Sequence, residues 1–110
     1  RLYYTGWSSS TGEADWGLRP LFAGDKTPPS MYNISYYKNP TVDANIMKAL
    51  GTTDRAEKTK LYTEVQEEIW KDTPWAFLVT EKLLYATSKK LTGMYVMPDA
   101  NYFFEEIDLQ

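Results

Sequence analysis

The chain has no cysteine and no histidine in its 110 residues. The first absence excludes disulfide frameworks, thiol nucleophiles and thiolate metal sites. The second removes the commonest general base and the commonest zinc ligand. Positive charge is also in short supply: 12 Lys and Arg stand against 15 Asp and Glu, a formal net charge of −3. No basic field exists to hold nucleic acid or acidic lipid. No apolar run approaches the roughly 20 residues that a membrane-spanning helix needs, and no signal peptide is visible. The six glycines form neither a dinucleotide fingerprint nor a phosphate loop. Ser8, Ser9, Ser10 and Thr11 offer hydroxyls, but no histidine is present to activate one, and none of these residues has a lysine three positions later. We therefore expect no catalytic residue, no metal ligand set and no cofactor.

What is present reads as a folded chain. The apolar fraction is 43%, with four Trp and nine Tyr, values of a globular protein and not of a disordered one. The length suits one small domain. The first residue is Arg1, not Met, and it leads directly into the strand-like Leu2-Tyr3-Tyr4-Thr5. A fragment or processed product is expected, with the export signal on an N-terminal part that is missing here.

Leu2 to Trp7 is aromatic and β-branched and ends at a Gly/Ser cluster, so a strand followed by a loop is expected. A short helix begins near Glu13, weakened by Gly17 and Pro20, with Leu18, Leu21 and Phe22 as its apolar contacts. Residues 24–33, with Pro28-Pro29, have no period and read as a surface loop. Asn39 is a helix N-cap and Pro40 occupies the first helical position, where its missing N–H costs nothing. Val42, Ile46 and Leu50, with Met47 beside them, form one apolar stripe, and Gly51 supplies a left-handed stop. Asp54 with Glu57 forms a capping box for a second helix. Its buried stripe is Leu61, Tyr62, Val65 and Ile69, and Pro74 ends it. Trp75 to Val79 reads as a buried strand, Leu83 to Thr87 as its continuation or partner, and Leu91 to Met97 as a further short strand. The tail from Asp99 to Gln110 mixes aromatic and acidic residues and must dock on something else. The fold class is α/β in the broad α+β sense: two adjacent helices followed by short strands.

Gly6 to Trp16 is the segment best suited to recognition. A strand delivers Trp7 to a hydroxyl-rich loop, and Glu13, Asp15 and Trp16 follow. Rigid indole walls give contact area at low entropic cost, while hydroxyls and loop N–H groups satisfy carboxylates and amides. A core Trp beside a solvated Ser/Gly turn is the structural alternative. Glu105, Glu106 and Asp108 are a second cluster. Acid–base work would need burial that drives their pKa values apart, and nothing in the sequence suggests such burial.

The order Asn39-Pro40, Val42-Asp43, Ala49-Leu50, Thr53-Asp54, Ala56-Glu57, Leu61-Tyr62, Thr73-Pro74-Trp75 and Leu91-Thr92-Gly93 resembles the C-terminal part of the peptide/nickel-binding family of bacterial extracellular solute-binding proteins. Together with GWSSSTGEADW at Gly6 to Trp16, it is most similar to the glutathione-binding branch. The resemblance implies a C-terminal fragment of a two-lobed periplasmic binding fold, with residues 1–91 in the second lobe and residues 92–110 returning to the first. It implies a transport protein, not an enzyme, that captures glutathione or a small peptide and hands it to ABC permease subunits. In peptide-binding relatives an aspartate of the loop after Gly-Trp pairs with the peptide amino terminus, and Ser10 stands at the matching position here. That departure puts ordinary amine recognition in doubt and is similar to the glutathione-binding branch. The carry-over makes Trp7, Ser8, Ser9 and Ser10 cleft-lining residues, with Asp15 ordering the loop or meeting an ammonium, Trp16 beside them, and Arg19 a weaker carboxylate clamp. Other ligands in the same family are a dipeptide, an oligopeptide or a nickel complex. Outside it stand a self-associating interaction module with no ligand of its own, and a hydrolase built on Glu105 and Glu106.

Overall fold

The computed structural model describes residues 2–97, 99 and 101–110. Arg1, at the edge of the expected first strand, and Pro98 and Ala100, beside and within the expected tail, lie outside the described residues. The chain divides into two compact units, Arg1–Phe77 and Leu78–Gln110. The first holds three helices and the second four two-residue strands, an α+β composition.

The first unit is built on α1 (Ala14–Phe22), α2 (Pro40–Gly51) and α3 (Arg55–Asp72). Local chemistry accounts for α2 and α3. The Asn39 side chain accepts hydrogen bonds from the Thr41 and Val42 amides, with Pro40 at the first helical position. Asp54 accepts from the Glu57 amide at 2.9 Å. The return half of the expected capping box runs through Thr52: its hydroxyl accepts from the Asp54 amide and donates to Glu57 Oε2. Leu61, Tyr62, Val65 and Ile69 are buried, as their spacing predicts. Pro74 stops the helix in an unusual way. Thr73, barred from the right-handed helical region by the following proline, takes φ 47° and ψ 51°, a left-handed conformation that is uncommon for a β-branched residue.

Two details of α2 correct the sequence reading. Leu50 and Met47 are exposed, and the buried positions are Val42, Asn45, Ile46 and Ala49. A helix turns about 100° per residue, so a step of four overshoots by about 40°; Leu50 lies about 80° from Val42, whereas Ala49 lies about 20° away. Gly51 is not a left-handed stop either. It remains helical, and the helix ends because Thr52 extends (φ −101°, ψ 141°) while its N–H still bonds to the Lys48 carbonyl.

The core gathers Leu21, Phe22 and Ala23 from the end of α1 with Val42, Ile46, Val65 and Ile69. A smaller cluster joins Ala49, Leu61 and Tyr62, and Leu18 packs against both. The expected surface loop at 24–33 ends inside this core. Asn33 is fully buried; its amide nitrogen donates to the carbonyls of Ala23 (3.0 Å) and Tyr37 (2.8 Å), and its Oδ1 accepts from the Ser35 hydroxyl and the Tyr37 amide. Its polarity is satisfied by backbone that has no helical partner there.

Three expected strands are not formed. Residues 2–7, 75–79 and 83–87 have no regular structure, and Leu2, Leu78, Val79 and Leu84 are exposed. A strand is stable only when its edge meets another, and no described strand lies alongside these segments. Within the first unit, Phe77 instead stacks on Trp70 at 5.8 Å between ring centres.

In the second unit the tail docks on the segment just before it. β1 (Leu91–Thr92) pairs antiparallel with β4 (Asp108–Leu109), and β2 (Tyr95–Val96) with β3 (Tyr102–Phe103). The two ladders are offset: Gly93 and Met94 face the longer excursion 104–107, a bulge closed by the Ile107 amide on the Phe104 carbonyl. Gly93 makes it possible. Its φ is +76°, and a Cβ there would lie 1.8 Å from the Glu106 carbonyl oxygen. Glu105, Glu106 and Asp108 are all exposed. No helix among the described residues is long and apolar enough to cross a membrane.

Candidate ligand-binding site

The segment 6–16 is a compact loop leading into α1. Gly12, at φ +70°, lets the chain reverse so that its N–H reaches the Ser9 carbonyl. Ser9 Oγ donates to the Glu13 carbonyl at 2.9 Å, and Thr11 Oγ1 accepts from the Glu13 amide. Ser9 therefore orders the loop, while Ser8 and Ser10 remain on its exposed surface. Glu13 is the residue before α1, and no side chain caps that helix. The first-turn N–H groups of α1 thus keep their donor capacity beside the serines, an arrangement that favours negative charge.

Trp7 and Trp16 are brought together. Their rings lie 6.3 Å apart, and the Trp7 indole N–H donates to the Trp16 carbonyl at 2.8 Å. Tyr32 also packs against Trp7, with ring centres 5.0 Å apart. Trp7 and Tyr32, without Trp16, line a cavity of about 260 Å³ with Tyr3, Gly6, Leu21 and Trp75. Its wall is mainly aromatic and carries no charged side chain, so it accepts the apolar part of a ligand better than an ion.

Asp15 faces away from that role. Arg19, one turn later, grips it with Nε and Nη2 at 2.9 and 2.7 Å, and the Tyr62 hydroxyl reaches it at 3.4 Å. The hydrogen bond to Asp15 raises the Arg19 pKa, and burial followed by the Asp15 charge pushes Tyr62 up to about 12. The structure gives Asp15 a tie between α1 and α3, and it commits Nε and Nη2 of Arg19 to Asp15.

Tyr32 and Pro20 were not legible as site residues. Tyr32 comes from the loop read as surface. Pro20 had a signal: it lies four residues after Trp16, and a proline leaves the carbonyl four residues before it without a helical donor.

No protein-family model matches the chain. Over 109 residues it is 60% identical to the glutathione-binding protein GsiB of Pectobacterium atrosepticum, covering 99% of the chain and 21% of that protein. It is 54% identical over 110 residues to the protein of the same name from Escherichia coli, and 53% identical over 110 to that of Salmonella typhimurium; in each case the whole chain matches 22% of the relative. The chain thus spans about a fifth of the length of the curated relatives it matches. It is related along its whole length to part of a larger binding protein, as the sequence resemblance implied.

Proposed function

We propose that this chain is the C-terminal part of the solute-binding component of an ABC importer, which captures glutathione or a related small peptide in the periplasm and delivers it to the membrane permease. The observation that carries this reading is 60% identity, along 99% of the chain, to a protein named for binding glutathione. The geometry of the 6–16 loop is consistent with it. Ser8 and Ser10 present hydroxyls, Trp7 and Trp16 present rigid aromatic faces, and the Ser9 hydroxyl and the Trp7 indole N–H hold the loop's shape through bonds inside the protein. Capture on this reading is reversible and non-covalent, with no enzymatic step. Residues 1–91 belong to the second lobe and residues 92–110 return to the first. Closure of the two lobes over the ligand requires only that the closed form bind it better.

Calorimetric titration of glutathione into the full-length protein, with an alanyl dipeptide and a nickel complex for comparison, tests the reading. Saturable heat with glutathione alone is expected. Binding of the dipeptide or of nickel without glutathione would keep transport and discard the ligand.

A second reading, a self-associating module, draws on one observation: Leu78, Val79, Leu83 and Leu84 are exposed in the second unit. Apolar surface of this extent commonly meets a partner. A mass that rises with concentration for the isolated chain, and stays monomeric for the full-length protein, would show that the surface is normally covered by the rest of the same polypeptide.

A further inference from the structure

Two carbonyls of α1 hold the two aromatic walls of the cavity. An interior helical carbonyl ordinarily accepts from the N–H four residues later. For Trp16 that residue is Pro20, which has no N–H and whose ring crowds the same carbonyl. The Trp7 indole N–H occupies the vacant position at 2.8 Å. For the Pro20 carbonyl the ordinary donor would be Gly24, but the Gly24 N–H is drawn to Asp43 Oδ1 at 2.8 Å. The Tyr32 amide takes the Pro20 carbonyl instead, at 3.2 Å. Trp7 and Tyr32 then meet across 5.0 Å.

We infer that Pro20 is a positioning residue for the ligand site: by withholding one N–H from α1 it fixes the Trp7 ring as the wall between the serine loop and the aromatic cavity. The inference deepens the proposed function and rests on the reading that the Trp7 loop meets the ligand. Pro20 touches no ligand itself. It acts through the Trp16 carbonyl, in the way that a partner outside a site orients the group within it.

The test is Pro20→Ala in the full-length protein. Alanine restores the N–H and suits a helix interior, so the fold should survive. The Trp7 indole proton, assigned by its loss in Trp7→Phe, is followed by NMR. In the natural sequence it should resonate downfield and exchange slowly with deuterium. In Pro20→Ala it should move to the position of a free indole and exchange rapidly. Glutathione affinity should fall by about threefold to tenfold, the range of one neutral hydrogen bond. Trp7→Phe should weaken binding in the natural background more than in Pro20→Ala, because the second background has already lost the bond. An unchanged Trp7 signal in Pro20→Ala overturns the inference, as does an equal loss from Trp7→Phe in both backgrounds. If the natural protein binds no glutathione at all, the proposed function fails, and the indole signal alone decides whether Pro20 places the ring.

Discussion

Arg19 holds Asp15 in a two-nitrogen grip, with Nε at 2.9 Å and Nη2 at 2.7 Å. Both side chains are mostly covered, and the Tyr62 hydroxyl joins them from α3. A charge-assisted pair of this shape is stronger than an exposed ion pair. Asp15→Asn is expected to lower stability by about 1–2 kcal/mol, since the guanidinium keeps one acceptor and loses the opposing charge. Urea denaturation measures it, and coincident midpoints would show that the grip contributes nothing.

Tyr62 also makes stability depend on alkaline pH. Burial, followed by the Asp15 charge, pushes its hydroxyl up to about 12 in the folded chain, against an ordinary tyrosine value of about 10. The folded state therefore keeps this proton over a range in which the unfolded state has released it. Stability from this group is complete below pH 10 and declines as pH rises toward 12. Tyr62→Phe should remove that part of the decline, and the two denaturation curves as a function of pH should converge at the alkaline end. Parallel curves would contradict the assignment.

Asn33 is the interior polar residue with most to lose. Asn33→Ala strands the Tyr37 carbonyl and the Tyr37 amide, and leaves the Ala23 carbonyl with the Lys26 amide alone. A loss of about 2–4 kcal/mol is expected, measured as a shift in thermal midpoint. A loss no larger than that of an exposed asparagine would mean that water replaces the side chain at no cost.

Gly93 tests the second unit separately. Gly93→Ala forces a Cβ onto the Glu106 carbonyl and demands a left-handed φ of an L-residue. The amides that bind the ladders together, Gln110 on the Lys90 carbonyl and Met97 on the Asn101 carbonyl, should lose protection from hydrogen exchange. Those of α2 and α3 should keep theirs. Full protection at Gln110 would show that the bulge can relax around the methyl group.

What the sequence made legible was local. The caps at Asn39 and Asp54 bond within three residues of themselves, so residue type and spacing reveal them. The α3 stripe follows helical periodicity in the same way. Asn33 was missed because its meaning depends on Ala23, ten residues earlier in the chain. Leu2 to Trp7 and Trp75 to Val79 have strand composition, but composition cannot supply a neighbouring edge. The Asp15–Arg19 pair stands at the i, i+4 spacing of a helical ion pair. Its signal therefore lies in residue type and spacing alone, like that of the caps.

The Asp72 carboxylate accepts from the Tyr37 hydroxyl at 2.7 Å and from the Asn39 side-chain amide at 2.8 Å. The last residue of α3 is thereby fastened to the entrance of α2, and only residues 52–54 join the two helices at their other end. The turn between the two helices is short, so their pairing can begin beside it and little chain entropy opposes its start. The order of folding follows: α2 and α3 associate first, and α1 adds afterwards with its aromatic cavity. Mutational kinetics should show Val42, Ile46 and Val65 largely engaged in the transition state and Leu21 scarcely at all. The 6–16 loop is then the last part of this unit to take shape, and the first to loosen when conditions turn against the fold.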